Sequence, residues 1–284
     1  MKEITWIFFS FFLVACTNTT EPGTSSGPGY SFIVQVPSSS NAPKSSSSVI
    51  EEDANEVSFW DPMWVNVPEQ EILVGNKYIP LNSFLILKTE VTQLMFADVM
   101  DSLPPQKELN QKKPVASISW YDAALFCNAL SKILELDTAY QYSSIGPKNK
   151  LLNLVLTYHK KTVRLPTDPE WEAAIRAGTT TDYFWGTGTA ADFAHFGSTA
   201  GPIEVGVKRP NGYGLYDMAG NVSEWVSDWD GPYGTTNGSK RAFRGGSWVS
   251  PLIQLKSNYK GSALPDESLD TRGFRVVLSN GAPE

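Results

Sequence analysis

Histidine occurs only at positions 159 and 195 of this 284-residue chain, and cysteine only at 16 and 127. An iron centre built on three imidazoles therefore has too few ligands. Two cysteines do not make a disulfide framework. A serine hydrolase has hydroxyls to offer at Ser247 and Ser250, but neither histidine stands in a context that suggests a general base. Basic clusters are missing too. With 23 Lys and Arg against 30 Asp and Glu, the net charge is −7, so a polyphosphate partner is repelled and nucleic-acid binding is excluded. No internal repeat is present. The longest apolar stretch, ITWIFFSFFLV from Ile4, is too short to span a bilayer.

That stretch instead suits the hydrophobic region of an export signal, because Lys2 precedes it and Leu13-Val14-Ala15-Cys16 follows. The four residues resemble a bacterial lipobox. The resemblance implies a signal peptide over 1–15 and a lipid on Cys16 that anchors the mature chain in the bacterial cell envelope. Thr17 after it, where an aspartate is absent, points to the outer membrane. Residues 16–56 are rich in Ser, Pro, Gly and Thr, and have too few large apolar side chains to fold, so they read as a tether. Tyr30–Val36 (YSFIVQV) is an exception, read here as part of the linker.

Residues 57–284, about 225 in all, suffice for one sizeable core. Met63–Val67, Glu71–Val74 and Ser83–Leu87 read as strands. Thr92 caps an expected helix over Gln93–Met100, and Ser119 a second through Glu135, where Ala123, Cys127, Leu130 and Leu134 share a face. That stripe places Cys127 in the core. Leu151–Tyr158 fits a helical turn or a strand equally well. Thr167 and Glu170 form a capping box for a helix that Gly178 ends. Asp182–Val207 is expected as short strands and turns. Gly245-Gly246, followed by Ser and Trp in an apparent strand, reads as a close backbone approach and not as a phosphate cradle.

The densest stretch is Asn211–Trp229, NGYGLYDMAGNVSEWVSDW, read as a folded loop. Its glycines allow turns, and its large side chains bury it. Asp217 and Glu224, with inward carbonyls of Gly220 and Val222, would supply the hard oxygens that calcium prefers. Equally, Asp217 could close an Asx turn while Glu224 pairs with Arg244 or Arg275. Glu224 and Asp228 also form an i, i+4 carboxylate pair, of the kind that is usually solvated or ligating.

Together with RLPTDPEWEAAIRAG (Arg164–Gly178), RAFRGGSW (Arg241–Trp248) and RGFRVVL (Arg272–Leu278), this stretch resembles the formylglycine-generating enzyme, or sulfatase-modifying factor, family. KTEVTQLMFADVM (Lys88–Met100) and PVASISWYDAALFCNALS (Pro114–Ser131) resemble it more weakly. The resemblance implies a single α+β domain related to the C-type lectin fold and rich in irregular loops. It also implies structural calcium at Asp217, Gly220, Val222 and Glu224. Three departures matter. His195 stands where a second calcium loop would have asparagine, and no aspartate follows near Ser198–Pro202. Ser223 replaces a usual tryptophan. The two positions that would hold copper-binding cysteines are Ser250 and Leu255, and neither is a Cu(I) ligand. No copper is expected. The sequence thus favours a membrane-anchored, non-catalytic module that binds peptide, glycan or an envelope protein. An enzyme of the same family using a different site is the alternative.

Overall fold

The computed structural model describes residues 63–158 and 160–279. The signal, Cys16 and tether expectations lie outside the described residues.

Alternating side chains in WVNV and a buried FLIL make β1 (Trp64–Val67) and β4 (Phe84–Leu87) antiparallel neighbours. With β9 (Val163–Arg164) and β14 (Val277–Ser279) they form a four-stranded sheet in the order β1-β4-β14-β9. Between β1 and β4 runs a hairpin of β2 (Gln70–Val74) and β3 (Lys77–Leu81). Helix α1 (Gln93–Met100) starts at Thr92, whose hydroxyl accepts the Met95 N–H. Helix α2 (Trp120–Ile133) starts at Ser119, whose hydroxyl accepts the Asp122 N–H. Its apolar face carries a fully buried Cys127, whose thiol burial pushes far above its ordinary range. A thiol held in that way is not a nucleophile.

Next come four two-residue strands, β5 (Tyr140–Gln141), β6 (Ser144–Ile145), β7 (Leu151–Leu152) and β8 (Val155–Leu156), paired β5 with β8 and β6 with β7. The ambiguous Leu151–Tyr158 stretch is therefore two short strands broken by a turn at Asn153, each formed by pairing with a partner strand. Helix α3 (Asp168–Arg176) has the expected capping box, and it stops in left-handed backbone at Ala177 and Gly178.

Three expectations need correction. Asp182–Val207 contains a short helix α4 (Ala190–Phe193) and turns, with β-pairing confined to a bridge from His195 to Gly220. Packing of Phe193 against Phe184 and Trp185 settles this region, and sequence alternation does not. In Asn211–Trp229 only the first half is loop, since Ser223–Trp229 is strand β10. Its first five residues are buried and so lack the alternation that marks a half-exposed strand. Strand β11 (Arg241–Arg244) ends before Gly245, so Ser247 and Trp248 lie in a turn.

Strand β10 is the centre of a second sheet, β12-β11-β10-β13, completed by β12 (Lys260–Ala263) and β13 (Arg272–Gly273). It runs parallel to β13, and Glu224 lies opposite Arg244 on one side and Gly273 on the other. One hydrophobic cluster gathers α1, α2, Trp225 and Phe274, while a second gathers Trp171, Leu215, Met218 and Leu255 beside β4. Among the described residues no helix is long and apolar enough to cross a membrane.

Candidate functional site

The Asn211–Val222 loop is fastened before any ligand is considered. The Asn211 side chain donates to the Ala174 and Ile175 carbonyls at the end of α3 and accepts from the Tyr213 and Leu215 N–H groups. Asn221 accepts from the Ile203 N–H and donates to Glu90 at 3.3 Å. These local bonds place Asp217 and Glu224, 3% and 1% exposed, in the same buried neighbourhood as a third carboxylate, Glu90.

Glu224 is held from two sides. Arg275, itself fully buried, donates from Nη2 to Oε1 and from Nε to Oε2, both at 2.7 Å. The Trp171 indole donates to Oε2 at 2.6 Å. Of the two arginines considered for Glu224, Arg275 is the partner; Arg244 sits opposite it in register but turns its guanidinium to Asp168 and Glu172. Asp217 adopts left-handed backbone, and its Oδ2 accepts the Gly206 N–H at 2.6 Å, so it holds a distant strap and not its own turn. Burial, with the charges of Asp217 and Glu224, holds the Glu90 carboxyl well above the usual carboxylate range. Burial likewise pushes Asp217 up to about 6.

Three buried carboxylates thus share one guanidinium, which leaves a deficit of positive charge. Hard oxygen donors and that deficit fit a calcium ion. Asp217 Oδ1 has no protein partner among the described residues, whereas Glu224 could offer only Oε1, since both bonds at Oε2 are taken. Among the described residues no three carboxylate, imidazole or thiol side chains converge as a metal cluster, so an ion here would depend on the main-chain oxygens of Gly220 and Val222. His195 contributes its backbone, its carbonyl accepting the Asn221 N–H at 2.8 Å, while its ring bonds the Gly201 carbonyl. Sequence reasoning missed Glu90 altogether. The available signal was a lone carboxylate between buried Leu87 and Val91.

Asp228 does not pair with Glu224. Its Oδ2 accepts the Asp168 N–H at 2.7 Å, capping the start of α3, and burial pushes its carboxyl up to about 6. With Glu224 locked on Arg275 and Asp228 on the Asp168 N–H, each carboxylate has its own partner. Ser223 is also structural, donating to the Thr271 carbonyl.

Ser250 lies just before a 3-10 turn over Leu252–Leu255, whose last residue is Leu255, and both are buried. The Ser250 hydroxyl accepts the Ser247 N–H at 3.0 Å and closes the turn. Leu255 is fully buried in the second cluster, packed so closely on Gly246 that a Cβ there would lie 2.7 Å from its Cδ2. Neither position opens to a substrate. The same turn sends Val249, Leu252 and Ile253 outward, 47%, 41% and 56% exposed. The described tryptophans are buried or half-buried.

The chain is similar to several known proteins. The chain is 31% identical over 234 residues to the chaperone protein LppX of Paenibacillus barcinonensis, covering 72% of this chain and 83% of that one. It is 28% identical over 196 residues to the formylglycine-generating enzyme of Mus musculus, covering 59% of this chain but only 44% of the enzyme. Among solved structures it is similar to Treponema denticola variable protein 1, with a TM-score of 0.68 at 30% identity over 76% of this chain and 94% of that one. Residues 62–280 match the sulfatase-modifying factor enzyme 1-like domain, so the chain belongs to that family.

Proposed function

We propose that this chain is a lipid-anchored envelope protein whose sulfatase-modifying-factor-like domain binds a partner polypeptide and does not oxidise cysteine. One observation carries the reading: the two positions that would supply copper thiolates are a buried serine and a fully buried leucine. Thiolates are the ligands a Cu(I) ion needs, and a leucine inside the core supplies neither a ligand nor space for one. What the turn offers instead is an apolar surface at Val249, Leu252 and Ile253, and such surfaces mark contacts with other molecules. The similar LppX is named a chaperone, which agrees with a polypeptide partner. The lipobox-like Leu13–Cys16 supplies the anchor, placed in the outer membrane by Thr17.

The full chain tests this directly. It should partition with membranes, be released by Cys16→Ser, and give no aldehyde when incubated with copper(I), oxygen and a cysteine-containing peptide. Any turnover would reverse the conclusion.

Calcium is proposed at Asp217, the Gly220 and Val222 carbonyls and Glu224, where it would supply the missing positive charge. Its role is to brace, not to react. Saturating calcium is expected to raise the melting temperature by several degrees, in line with ~3 kcal/mol at a hundredfold excess over Kd. Asp217→Ala should remove that rise. A melting curve identical in calcium and in chelator would sink the site.

A further inference from the structure

We propose that the outer edge of β2 docks an extended peptide segment of a partner protein. A cavity of about 350 Å³ is lined by Gln70, Glu71, Ile72 and Leu73 of β2 with Tyr78 of β3 on one side, and by Arg176 at the end of α3 and Thr179 just after it on the other. Four consecutive strand residues decide which surface of β2 this is. Side chains alternate between the two faces of a strand, so four in a row bring main-chain atoms of β2 into the lining. Strand β3 occupies one edge, so the main-chain groups that β2 can offer a ligand are those of the other.

That edge has unused main-chain groups. The hairpin turns through two residues, closing on Val74 opposite Lys77, with Ile72 opposite Ile79 and Gln70 opposite Leu81. Antiparallel ladders alternate bonded and non-bonded pairs, so counting from the closing pair puts Leu73–Tyr78 and Glu71–Pro80 in the non-bonded class. Pro80, which has no N–H, fits only there. The N–H and C=O groups of Glu71 and Leu73 therefore point away from β3, and among the described residues they have no backbone or side-chain partner. They recur every second residue, about 7 Å apart, which is the spacing at which another strand offers its own. A sugar has no such period. The edge of β3 is blunted by Pro80, whereas that of β2 carries no proline.

The other wall of the cavity is the turn after α3. Thr179 lies on the turn after α3, which Arg176 steadies by donating to the Thr181 carbonyl at 3.1 Å. At the mouth, Leu73 and Tyr78 stand opposite each other, 50% and 67% exposed. Together these select an extended segment with apolar side chains beside Leu73 and Tyr78. The inference uses a different surface from the Val249–Ile253 turn, and it holds whether or not that turn binds.

The test begins with peptides of about ten residues, long enough for one strand, displayed on phage and selected against the full-length protein. The strongest is then synthesised for titration. Methylating its backbone nitrogens at alternate residues should weaken binding about tenfold in one register and leave it unchanged in the other, as expected for losing one or two backbone hydrogen bonds. Leu73→Pro removes an outward N–H without touching the ladder to β3. It should weaken binding to a similar degree at unchanged melting temperature, while Ile253→Ser leaves it intact. Should Leu73→Pro fail to fold, the methylated peptides on the unaltered protein still decide the matter. Failure to enrich any peptide would overturn the proposal, as would binding indifferent to methylation. So would a glycan that competes through Tyr78 alone, or a concentration-dependent dimer that Leu73→Pro abolishes.

Discussion

Arg275→Met is expected to destabilise the domain by about 3–5 kcal/mol, the usual cost of leaving one half of a buried ion pair without its partner. For a domain of this size that is a fall of roughly 10–15 °C in melting temperature. Methionine is close enough in volume that an empty cavity is not the main cause. The loss is electrostatic: Glu224 keeps only the Trp171 bond, and the carbonyls of Leu87 and Tyr216, which also accept from Arg275, lose their donor. Glu90 and Asp217 lose the one cation that they share with Glu224. The double variant Glu224→Gln with Arg275→Met should recover part of the deficit, because the glutamine oxygen still accepts from Trp171 and no charge is stranded. Thermal melts of both variants decide the point. A single variant as stable as its parent would mean that the pair does not brace the loop.

Gly220→Ala should cost a comparable amount for a different reason. A Cβ at this position would lie 2.3 Å from the His195 carbonyl oxygen, a main-chain atom that cannot rotate away. That oxygen accepts from Asn221, while Gly220 itself donates to Gly245, so relieving the clash means separating chains that are bonded to each other. The left-handed backbone adds about 1–2 kcal/mol for any side chain. Gly214→Ala provides the control: its backbone is equally left-handed, but nothing lies within 4 Å of the added carbon. It should cost about 1 kcal/mol, and Gly220→Ala about 3–5. Equal costs would show that backbone strain alone matters, and that the approach to His195 can yield.

Features written into a few adjacent residues were legible in the sequence. Thr92, Ser119 and Thr167 cap their helices as expected, because a cap is a bond between a side chain and a backbone group three residues away. Leu151–Tyr158 could not be decided, since its strands exist only through pairing with β5 and β6, about ten residues distant in the chain. Strand β3 went unseen because Pro80 disguises it. In the site, Asp217 and Glu224 were found through the turns around them and the motif that carries them. Glu90 was missed because it arrives from more than a hundred residues earlier, and only burial turns it from a helix-flanking carboxylate into a member of the cluster. Trp171 lies in the core, and its indole also orients Glu224.

Leu255 has one further implication, for which substitutions the fold can accept. A cysteine placed there would exchange a well-packed interior side chain for a smaller one, and such exchanges commonly cost a few kcal/mol before any new chemistry is gained. Ser250, closing its turn on Ser247, would have to be released in the same step. Gaining cysteines at both positions therefore demands several coordinated changes at once, none of them favourable alone, and the packing works as a ratchet.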